Sequence, residues 1–206
     1  MTQRLDPFYP IVPDAGWVRR IVPLGVRMVQ LRLKDADAGE VRRQVRDSLE
    51  VCAAHDCLLI VNDYWEAAIE LGAGYIHLGQ EDLATADLAA IRKAGLKLGI
   101  STHSHEELEI ALAAKPDYVA LGPIYETKLK QMKWDPQGLE RLADWKRRIA
   151  CPLCAIGGIT IERAPGVWAA GADTIAVVTD FLTHHNPDER VRAWLAWTNT
   201  VRKQSY

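Results

Sequence analysis

Residues 26–34 read VRMVQLRLK, and this stretch decides how the chain folds. Its apolar residues alternate with Gln30, Arg32 and Lys34, so in a strand the two sets face opposite sides. Burying an amide, a guanidinium and an ammonium group without partners would be very costly. The polar side must therefore meet water or an anionic ligand. An edge strand with one wet face would give the same pattern, but other strand-like runs also end in polar, chemically useful residues.

Strand-like runs and helix-like segments alternate from one end of the chain to the other. Val41, Val45 and Leu49 recur at helical spacing, with Arg42 and Arg43 on the opposite side. The eight predicted strands are Phe8–Val12, Val26–Leu33, Leu58–Asn62, Gly74–His77, Lys97–Ser101, Tyr118–Leu121, Pro152–Ile156 and Thr174–Val178. Eight strands that alternate with helices indicate a parallel sheet of the α/β class.

The predicted fold is a single compact (β/α)₈ TIM barrel that spans residues 1–206. The alternative is an open doubly wound sheet, which usually carries a glycine-rich first turn. Here the first predicted strand runs into Pro13, Asp14, Ala15 and Gly16, which lack that fingerprint. The closed barrel is therefore favoured.

The composition of the chain limits the kinds of molecule that it is expected to bind. The net charge of −2 gives no general attraction to nucleic acid or to an anionic membrane. No apolar stretch is long enough to span a bilayer, and the N-terminus has no signal-peptide pattern. We therefore expect small-molecule substrates and a cytoplasmic location, and the sequence is compatible with a homo-oligomer.

The four cysteines are interpreted as free thiols. Cys151 and Cys154 have the C-x-x-C spacing of zinc and redox sites. They fall in a strand-like run, where residues i and i+3 face opposite sides. Cys52 and Cys57 straddle a helix end and supply no matching half-site. Buried free thiols are the favoured interpretation.

Polar residues cluster where strands two to four end, the edge at which barrels carry their chemistry. Gln30, Arg32 and Lys34 are three donors suited to a dense anion such as pyrophosphate. Strand three ends in an Asn-Asp pair, and Asp63 and Asp82 could hold one hard cation between them. Mg²⁺ is usually bound in this way, with positions left open for phosphate oxygens. Taken alone, either aspartate could instead be a helix N-cap.

Strands five and six end in further candidate residues. Ser101 follows strand five and could be a functional hydroxyl or a helix cap. His103 could be an acid–base group or a structural histidine, whereas His77 lies inside a strand and is interpreted as a packed supporting residue. Strand six continues into a long segment from Gly122 toward Gly138. Long loops in compact domains are usually functional, so it is a candidate phosphate-gripping lid or a surface excursion.

Strands seven and eight indicate a second anion site. Strand seven ends in Gly157 and Gly158, and strand eight in Val178 and Thr179. Barrels often bind a phosphate with backbone amides after these two strands, and glycine allows a close approach. Two separate anion sites indicate an enzyme that joins or separates two phosphorylated pieces.

Seven stretches together resemble the thiamine phosphate synthase family, and the resemblance covers essentially the whole chain. In order they are VQLRLKD (Val29–Asp35), IVND (Ile60–Asp63), HLGQEDL (His77–Leu83), LGISTH (Leu98–His103), DYVALGPIY (Asp117–Tyr125), AIGGI (Ala155–Ile159) and GADTIAVV (Gly171–Val178). The resemblance implies a (β/α)₈ fold and a Mg²⁺-dependent transfer. Hydroxymethylpyrimidine pyrophosphate would be joined to thiazole phosphate, giving thiamine phosphate and pyrophosphate.

The resemblance also implies roles for individual residues. Those assigned to the pyrimidine substrate and its pyrophosphate are Gln30, Arg32, Lys34, Asn62 and Ser101. Those assigned to Mg²⁺ are Asp63 and Asp82, and those in the loop over the substrates are Thr127 and Lys130. Backbone amides of Gly158, Val178 and Thr179 would bind the thiazole phosphate. Arg32, Lys34, Ser101 and Lys130 are the predicted catalytic residues.

One departure from the family concerns the loop. The family usually reads Pro-Thr-x-Thr-Lys, whereas this chain has Glu126 for the proline and Leu129 for the second threonine. A hydroxyl that could bind phosphate is thereby lost. Two other functions stay open: a thiazole tautomerase that uses His103, and a non-catalytic barrel that senses thiamine phosphate. Intact Asp63 and Asp82 disfavour both, since neither function needs a pyrophosphate site.

Overall fold

Eight parallel strands form a closed barrel in a computed structural model that describes residues 5–127 and 134–203. Each strand pairs with the next along the chain, and the eighth pairs with the first, in a register that places Phe8 opposite Ile175. The strands are β1 Phe8–Val12, β2 Met28–Leu31, β3 Leu58–Asn62, β4 Tyr75–Leu78, β5 Lys97–Thr102, β6 Tyr118–Leu121, β7 Leu153–Ile156 and β8 Thr174–Val177. The predicted (β/α)₈ barrel is confirmed.

Helices connect the strands on the outside of the barrel. They are α1 Ala15–Ile21, α2 Ala38–Ala54, α3 Trp65–Glu70, α4 Gln80–Thr85, α5 Leu88–Lys93, α6 His105–Ala113, α7 Gly138–Arg148, α8 Ala164–Ala169, α9 Thr179–Leu182 and α10 Pro187–Lys203. Within residues 5–127 and 134–203, no helix has both the length and the apolar composition needed to cross a bilayer.

Strand β2 is shorter than the sequence predicted. The predicted strand ran from Val26 to Leu33, whereas β2 covers Met28–Leu31. The Arg32 N–H still donates to the Val12 carbonyl at 2.9 Å, but β1 ends there and the chain turns into α1, capped by Asp14. Residues beyond Arg32 therefore have no partner strand on that side.

Period-two alternation divides the buried side chains into two clusters. One lies between the strands and the helices and includes Phe8, Val29 and Leu31. The other fills the barrel interior and includes Tyr9, Tyr118 and Cys154, and it leaves room for buried polar groups. All four cysteines are free, as the sequence predicted, with Cys52 and Cys154 buried.

Candidate functional site

The polar face of β2 lies at the carboxyl end of the barrel, as its alternation predicted. Gln30 is inside the barrel and only 2% exposed, whereas Arg32 and Lys34 follow the strand and are exposed. Leu33, between them, is buried on the opposite side against the helices. The stretch therefore presents one buried amide and two solvated cations at the mouth.

Asp63 and Asp82 approach each other at the ends of β3 and β4. Asp63 has a left-handed backbone conformation with φ of 65°, which turns the chain directly after β3. Its carboxylate accepts from the Asn62 amide at 2.5 Å and from the Gly79 N–H, and it lies within hydrogen-bonding reach of the Asp82 carboxyl. The structure thus brings together the two carboxylates that the sequence predicted to share a cation.

The carboxylates of Asp63 and Asp82 repel each other when both are ionised, and this repulsion shows in the pKa of Asp63. Burial, followed by the charge of Asp82, raises the pKa of Asp63 to about 6, although the charge of Arg32 opposes that rise. Among the described residues, no group of three or more His, Cys, Asp and Glu side chains could hold a metal ion. Two carboxylates and open positions are what Mg²⁺ uses when substrate phosphates complete its coordination, so the residues present fit that ion.

Neither aspartate serves as a helix cap. The N-cap of α3 is Tyr64 and that of α4 is Gly79, and in neither helix does the cap side chain accept a hydrogen bond. Asp82 lies within the first turn of α4. The capping alternative is therefore excluded for both residues.

Ser101 is held by two side chains from the β4 region. Its hydroxyl oxygen is 2.8 Å from Nε2 of His77, and its carbonyl accepts from the Gln80 amide at 2.7 Å. The helix that follows is capped by Ser104, which accepts from the Glu107 N–H, so Ser101 is not its cap. Ser101 is free to present its hydroxyl at the mouth.

A buried chain of hydrogen bonds continues from Ser101 across the barrel interior. His77 Nδ1 is 2.7 Å from the Tyr118 hydroxyl, which is 2.9 Å from the Tyr9 hydroxyl. The Gln30 amide donates to the Tyr9 hydroxyl at 2.7 Å. Two residues predicted to contact substrate, Gln30 and Ser101, are therefore linked through three buried aromatic side chains.

The electrostatics of this chain keep its members uncharged. Burial, and then the charge of Arg32, lowers the pKa of His77 to about 4. Burial likewise raises the pKa of Tyr9 and of Tyr118 above the ordinary tyrosine value. At neutral pH the interior therefore holds a neutral imidazole and two intact phenols.

His103 lies apart from this chain. Its Nδ1 is 2.7 Å from the Glu107 carboxylate, and its ring stacks on Trp134 with centroids 5.9 Å apart. Glu107 belongs to α6 and Trp134 to the connection that precedes α7, so neither partner comes from a barrel strand. The structural interpretation of this histidine has the better support.

Hydrogen bonds tie together the two ends of the segment that connects β6 to α7. Ile124 N–H donates to the Ile156 carbonyl, and on the return the N–H groups of Gln137 and Gly138 donate to Pro123 and Ile124. Thr127 is the last described residue before the gap and is partly buried. The predicted residue Lys130, with Lys128 and Leu129, lies outside the described residues.

The glycine pair after β7 has a packing role that the sequence did not reveal. Gly157 and Gly158 have φ of 99° and 64°. A Cβ at Gly158 would stand 2.4 Å from the Glu126 carbonyl oxygen, and one at Gly157 would stand 2.6 Å from Pro123. The sequence predicted that something would approach these glycines closely. The backbone of the segment after β6 does so, and the two glycines allow it to pack against the end of β7.

Backbone amides are nevertheless available at this edge. Val178 and Thr179 follow β8, and Thr179 begins the short helix α9. In the described part of the chain, no group accepts a hydrogen bond from the backbone N–H of Gly158, Val178 or Thr179. The structure therefore places the predicted amides of strands seven and eight at one edge of the mouth.

Sequence reasoning missed Tyr9, Tyr118 and Gln80. An aromatic residue in a strand ordinarily indicates core, and nothing local reveals that two tyrosines 109 positions apart share a hydrogen bond. One usable signal was present. Phe8 and Tyr9 are consecutive residues of a strand, so their side chains face opposite sides and one of the two had to face the barrel interior.

A family model, curated relatives and a solved structure relate the chain to one family. A family model described as thiamine monophosphate synthase matches residues 9–181. The chain is 62% identical over 196 residues to a thiamine-phosphate synthase of Rhizobium etli, covering 95% of this chain and 96% of that protein. It is 49% identical over 172 residues to one of Klebsiella pneumoniae, covering 83% and 82%. The solved thiamine phosphate pyrophosphorylase from Pyrococcus furiosus superposes with a TM-score of 0.83 at 26% identity, over 94% of this chain and 96% of that one.

Proposed function

The chain belongs to the thiamine monophosphate synthase family and is a transferase that makes thiamine phosphate, and from this premise we propose its substrates and the roles of its residues. The substrates are hydroxymethylpyrimidine pyrophosphate and thiazole phosphate, and the products are thiamine phosphate and pyrophosphate. The whole chain works as one barrel domain in the cytoplasm. It needs no nucleic acid or membrane partner.

The first step is loss of pyrophosphate from the pyrimidine's exocyclic carbon. The amino group of the ring pushes electrons toward that carbon, so no covalent enzyme nucleophile is needed. Arg32 and Lys34 bind the departing pyrophosphate, where negative charge builds in the transition state. The exposed position of both cations at the mouth supports this role. Asn62 steadies the same group while its amide also orients Asp63.

Asp63 and Asp82 hold Mg²⁺. The support for this assignment is their approach within hydrogen-bonding reach and the raised pKa of Asp63, since a divalent cation removes their mutual repulsion. When bound, Mg²⁺ supplies positive charge to the pyrophosphate oxygens. Arg32, whose charge already acts on Asp63, lies beside the same group.

The second substrate is bound at the opposite side of the mouth. The amides of Gly158, Val178 and Thr179 bind the thiazole phosphate, and their lack of acceptors among the described residues supports this role. Thr127 and Lys130 contribute from the segment after β6. These contacts position the thiazole nitrogen next to the cationic carbon of the pyrimidine, so that the two can form a bond.

The single observation that carries the assignment is the meeting of Arg32, Asp63 and Asp82 at the ends of β2, β3 and β4. A turnover assay tests it, in which pyrophosphate release is measured with both substrates, with each alone, and with or without Mg²⁺. We expect rapid release only with both substrates and the metal. Isomerisation of a thiazole without pyrophosphate release would indicate the tautomerase instead, and tight thiamine phosphate binding without turnover would indicate a sensor.

A further inference from the structure

The buried chain from Gln30 through Tyr9, Tyr118 and His77 to Ser101 has no role in the steps described above. It occupies the barrel interior directly below the mouth, and only its two end residues were predicted to contact substrate. The three central side chains are at most 7% exposed. Their polar atoms therefore satisfy one another rather than water.

Counting hydrogens gives this chain a direction. The Gln30 Nε2 group donates to the Tyr9 hydroxyl, and a phenol carries a single hydrogen. Because Tyr9 accepts from Gln30, its own hydrogen is left for the Tyr118 oxygen 2.9 Å away, which is the arrangement that gives every buried hydrogen a partner. Tyr118 in turn donates to Nδ1 of His77, 2.7 Å away.

The direction is completed at the histidine. A nitrogen that accepts a hydrogen bond carries no hydrogen, so the neutral His77 ring has its hydrogen on Nε2. Nε2 then donates to the Ser101 oxygen at 2.8 Å. The Ser101 hydroxyl therefore accepts from His77, and its own hydrogen is left to donate to a partner at the mouth of the barrel. At the other end, Gln30 has used an amide hydrogen, and its Oε1 remains as an acceptor.

We propose that Tyr9, Tyr118 and His77 are positioning residues that fix Ser101 as a donor and Gln30 as an acceptor toward the heterocycle of the substrate. This inference rests on the proposed function, which supplies an aminopyrimidine. An amino group offers a hydrogen to Gln30, and a ring nitrogen accepts one from Ser101. A chain of the opposite direction would present an acceptor at Ser101 and a donor at Gln30, and that pattern fits an oxopyrimidine. The direction of the chain therefore selects amino over oxo heterocycles.

The tautomer of His77 can be measured without any substrate. In protein labelled with ¹⁵N-histidine, the His77 signals are identified by their loss in His77→Gln. We expect a protonated Nε2 and an unprotonated Nδ1 in the unmodified protein, and loss of that preference in Tyr118→Phe. Tyr75→Phe is the matched control, because Tyr75 belongs to the same interior cluster but lies beside Asp117 and Lys97. A protonated Nδ1 in the unmodified protein would overturn the proposal.

Discrimination between substrates is the functional measurement. The inhibition constant of the 4-oxo analogue of the pyrimidine pyrophosphate is divided by the KM of the 4-amino substrate. We expect this ratio to fall by roughly tenfold or more in Tyr118→Phe, because a directed hydrogen bond is lost, and to stay unchanged in Tyr75→Phe. Tyr9→Phe provides a second variant should Tyr118→Phe not fold, and we expect a fall in the same direction.

The outcomes separate this inference from the function on which it rests. Normal turnover with an unchanged ratio in both Tyr118→Phe and Tyr9→Phe would refute the positioning role and leave the function intact. Absence of pyrophosphate release by the unmodified protein would refute the function. The His77 tautomer would then still decide the direction of the chain.

Discussion

The ring of Tyr118 occupies the space that a side chain at Gly99 would fill. A Cβ added to Gly99 would stand 2.1 Å from Cζ of Tyr118, far inside van der Waals contact. The two residues are opposite each other on β5 and β6. A glycine in the middle of a strand thus makes room for the tyrosine at the centre of the buried hydrogen-bonded chain.

Gly99→Ala is expected to destabilise the protein and to disturb the active site together. Overpacking of this kind costs about 1–3 kcal/mol, and displacing Tyr118 also breaks its contacts with Tyr9 and His77. Denaturant unfolding measures the first effect, and the KM for the pyrimidine substrate measures the second. Gly74→Ala is the control, because its Cβ would meet only Leu58 at an ordinary 3.9 Å. Equal stability of the two variants would contradict the steric argument.

The contribution of His77 to the stability of the protein is expected to fall as the pH drops from 6.5 toward 4. Burial, and then Arg32, lowers the pKa of folded His77 from 6.5 to about 4, so in this window the unfolded chain binds a proton that the folded protein does not. The loss approaches about 1.4 kcal/mol per pH unit.

The titration of Asp63 acts in the opposite direction. Its pKa is raised to about 6, so the folded protein retains that proton over the same pH range. The His77 contribution is therefore isolated as the difference between the unmodified protein and His77→Gln: the free energy of unfolding of the unmodified protein, relative to that of the variant, should decrease as the pH drops through this window. Parallel curves for the two proteins would show that His77 is not the cause.

Asp82→Asn is expected to weaken Mg²⁺ binding by more than about tenfold, because one of two carboxylate ligands is lost. Calorimetric titration of MgCl₂ into protein saturated with pyrophosphate measures the change. Asp87→Asn is the matched control, because Asp87 caps α5 and asparagine caps equally well. Undiminished affinity in Asp82→Asn would remove Asp82 from the proposed metal site.

Arg32→Ala is expected to slow turnover while leaving folding nearly unchanged. Arg32 is exposed at the mouth, so little packing is lost. Removing a charge-assisted contact to the leaving group costs about 2–4 kcal/mol in the barrier, which lowers kcat by roughly 30- to 1,000-fold. Arg27→Ala, an exposed arginine before the opposite end of β2, should keep normal activity. A folded Arg32→Ala variant with normal kcat would exclude the role.

Leu129→Thr is a prediction from sequence alone, since position 129 lies outside the described residues. Restoring the family's hydroxyl adds a hydrogen bond that contributes about 0.5–1.5 kcal/mol. We expect the KM for thiazole phosphate to fall by about two- to tenfold, with a smaller change in kcat. If both constants stay unchanged while Lys130→Ala abolishes activity, the departure at position 129 has no functional meaning.

Period-two alternation was sufficient to predict the barrel and much of its mouth. The polar face of β2 followed from spacing alone, and Asp63 and Asp82 followed from their places after successive parallel strands. The chain through Tyr9 and Tyr118 could not be predicted, because its partners come from β1, β2, β4, β5 and β6 and only barrel closure brings them together. The packing of Gly158 against the segment after β6 could not be predicted for the same reason, since its close neighbours, Tyr125 and Glu126, belong to another loop.

The hydrogen bonds that join the two ends of the connection after β6 have an evolutionary consequence. The N–H groups of Gln137 and Gly138 donate to the Pro123 and Ile124 carbonyls, and the Ile124 N–H donates to the Ile156 carbonyl, so both ends of the connection are tied to each other and to β7. We therefore expect substitutions between these ends, at positions such as 126 and 129, to leave the register of β6 and β7 unchanged. Selection can therefore adjust how the second substrate is held without endangering the fold, and this connection is where we expect relatives of the chain to diverge first.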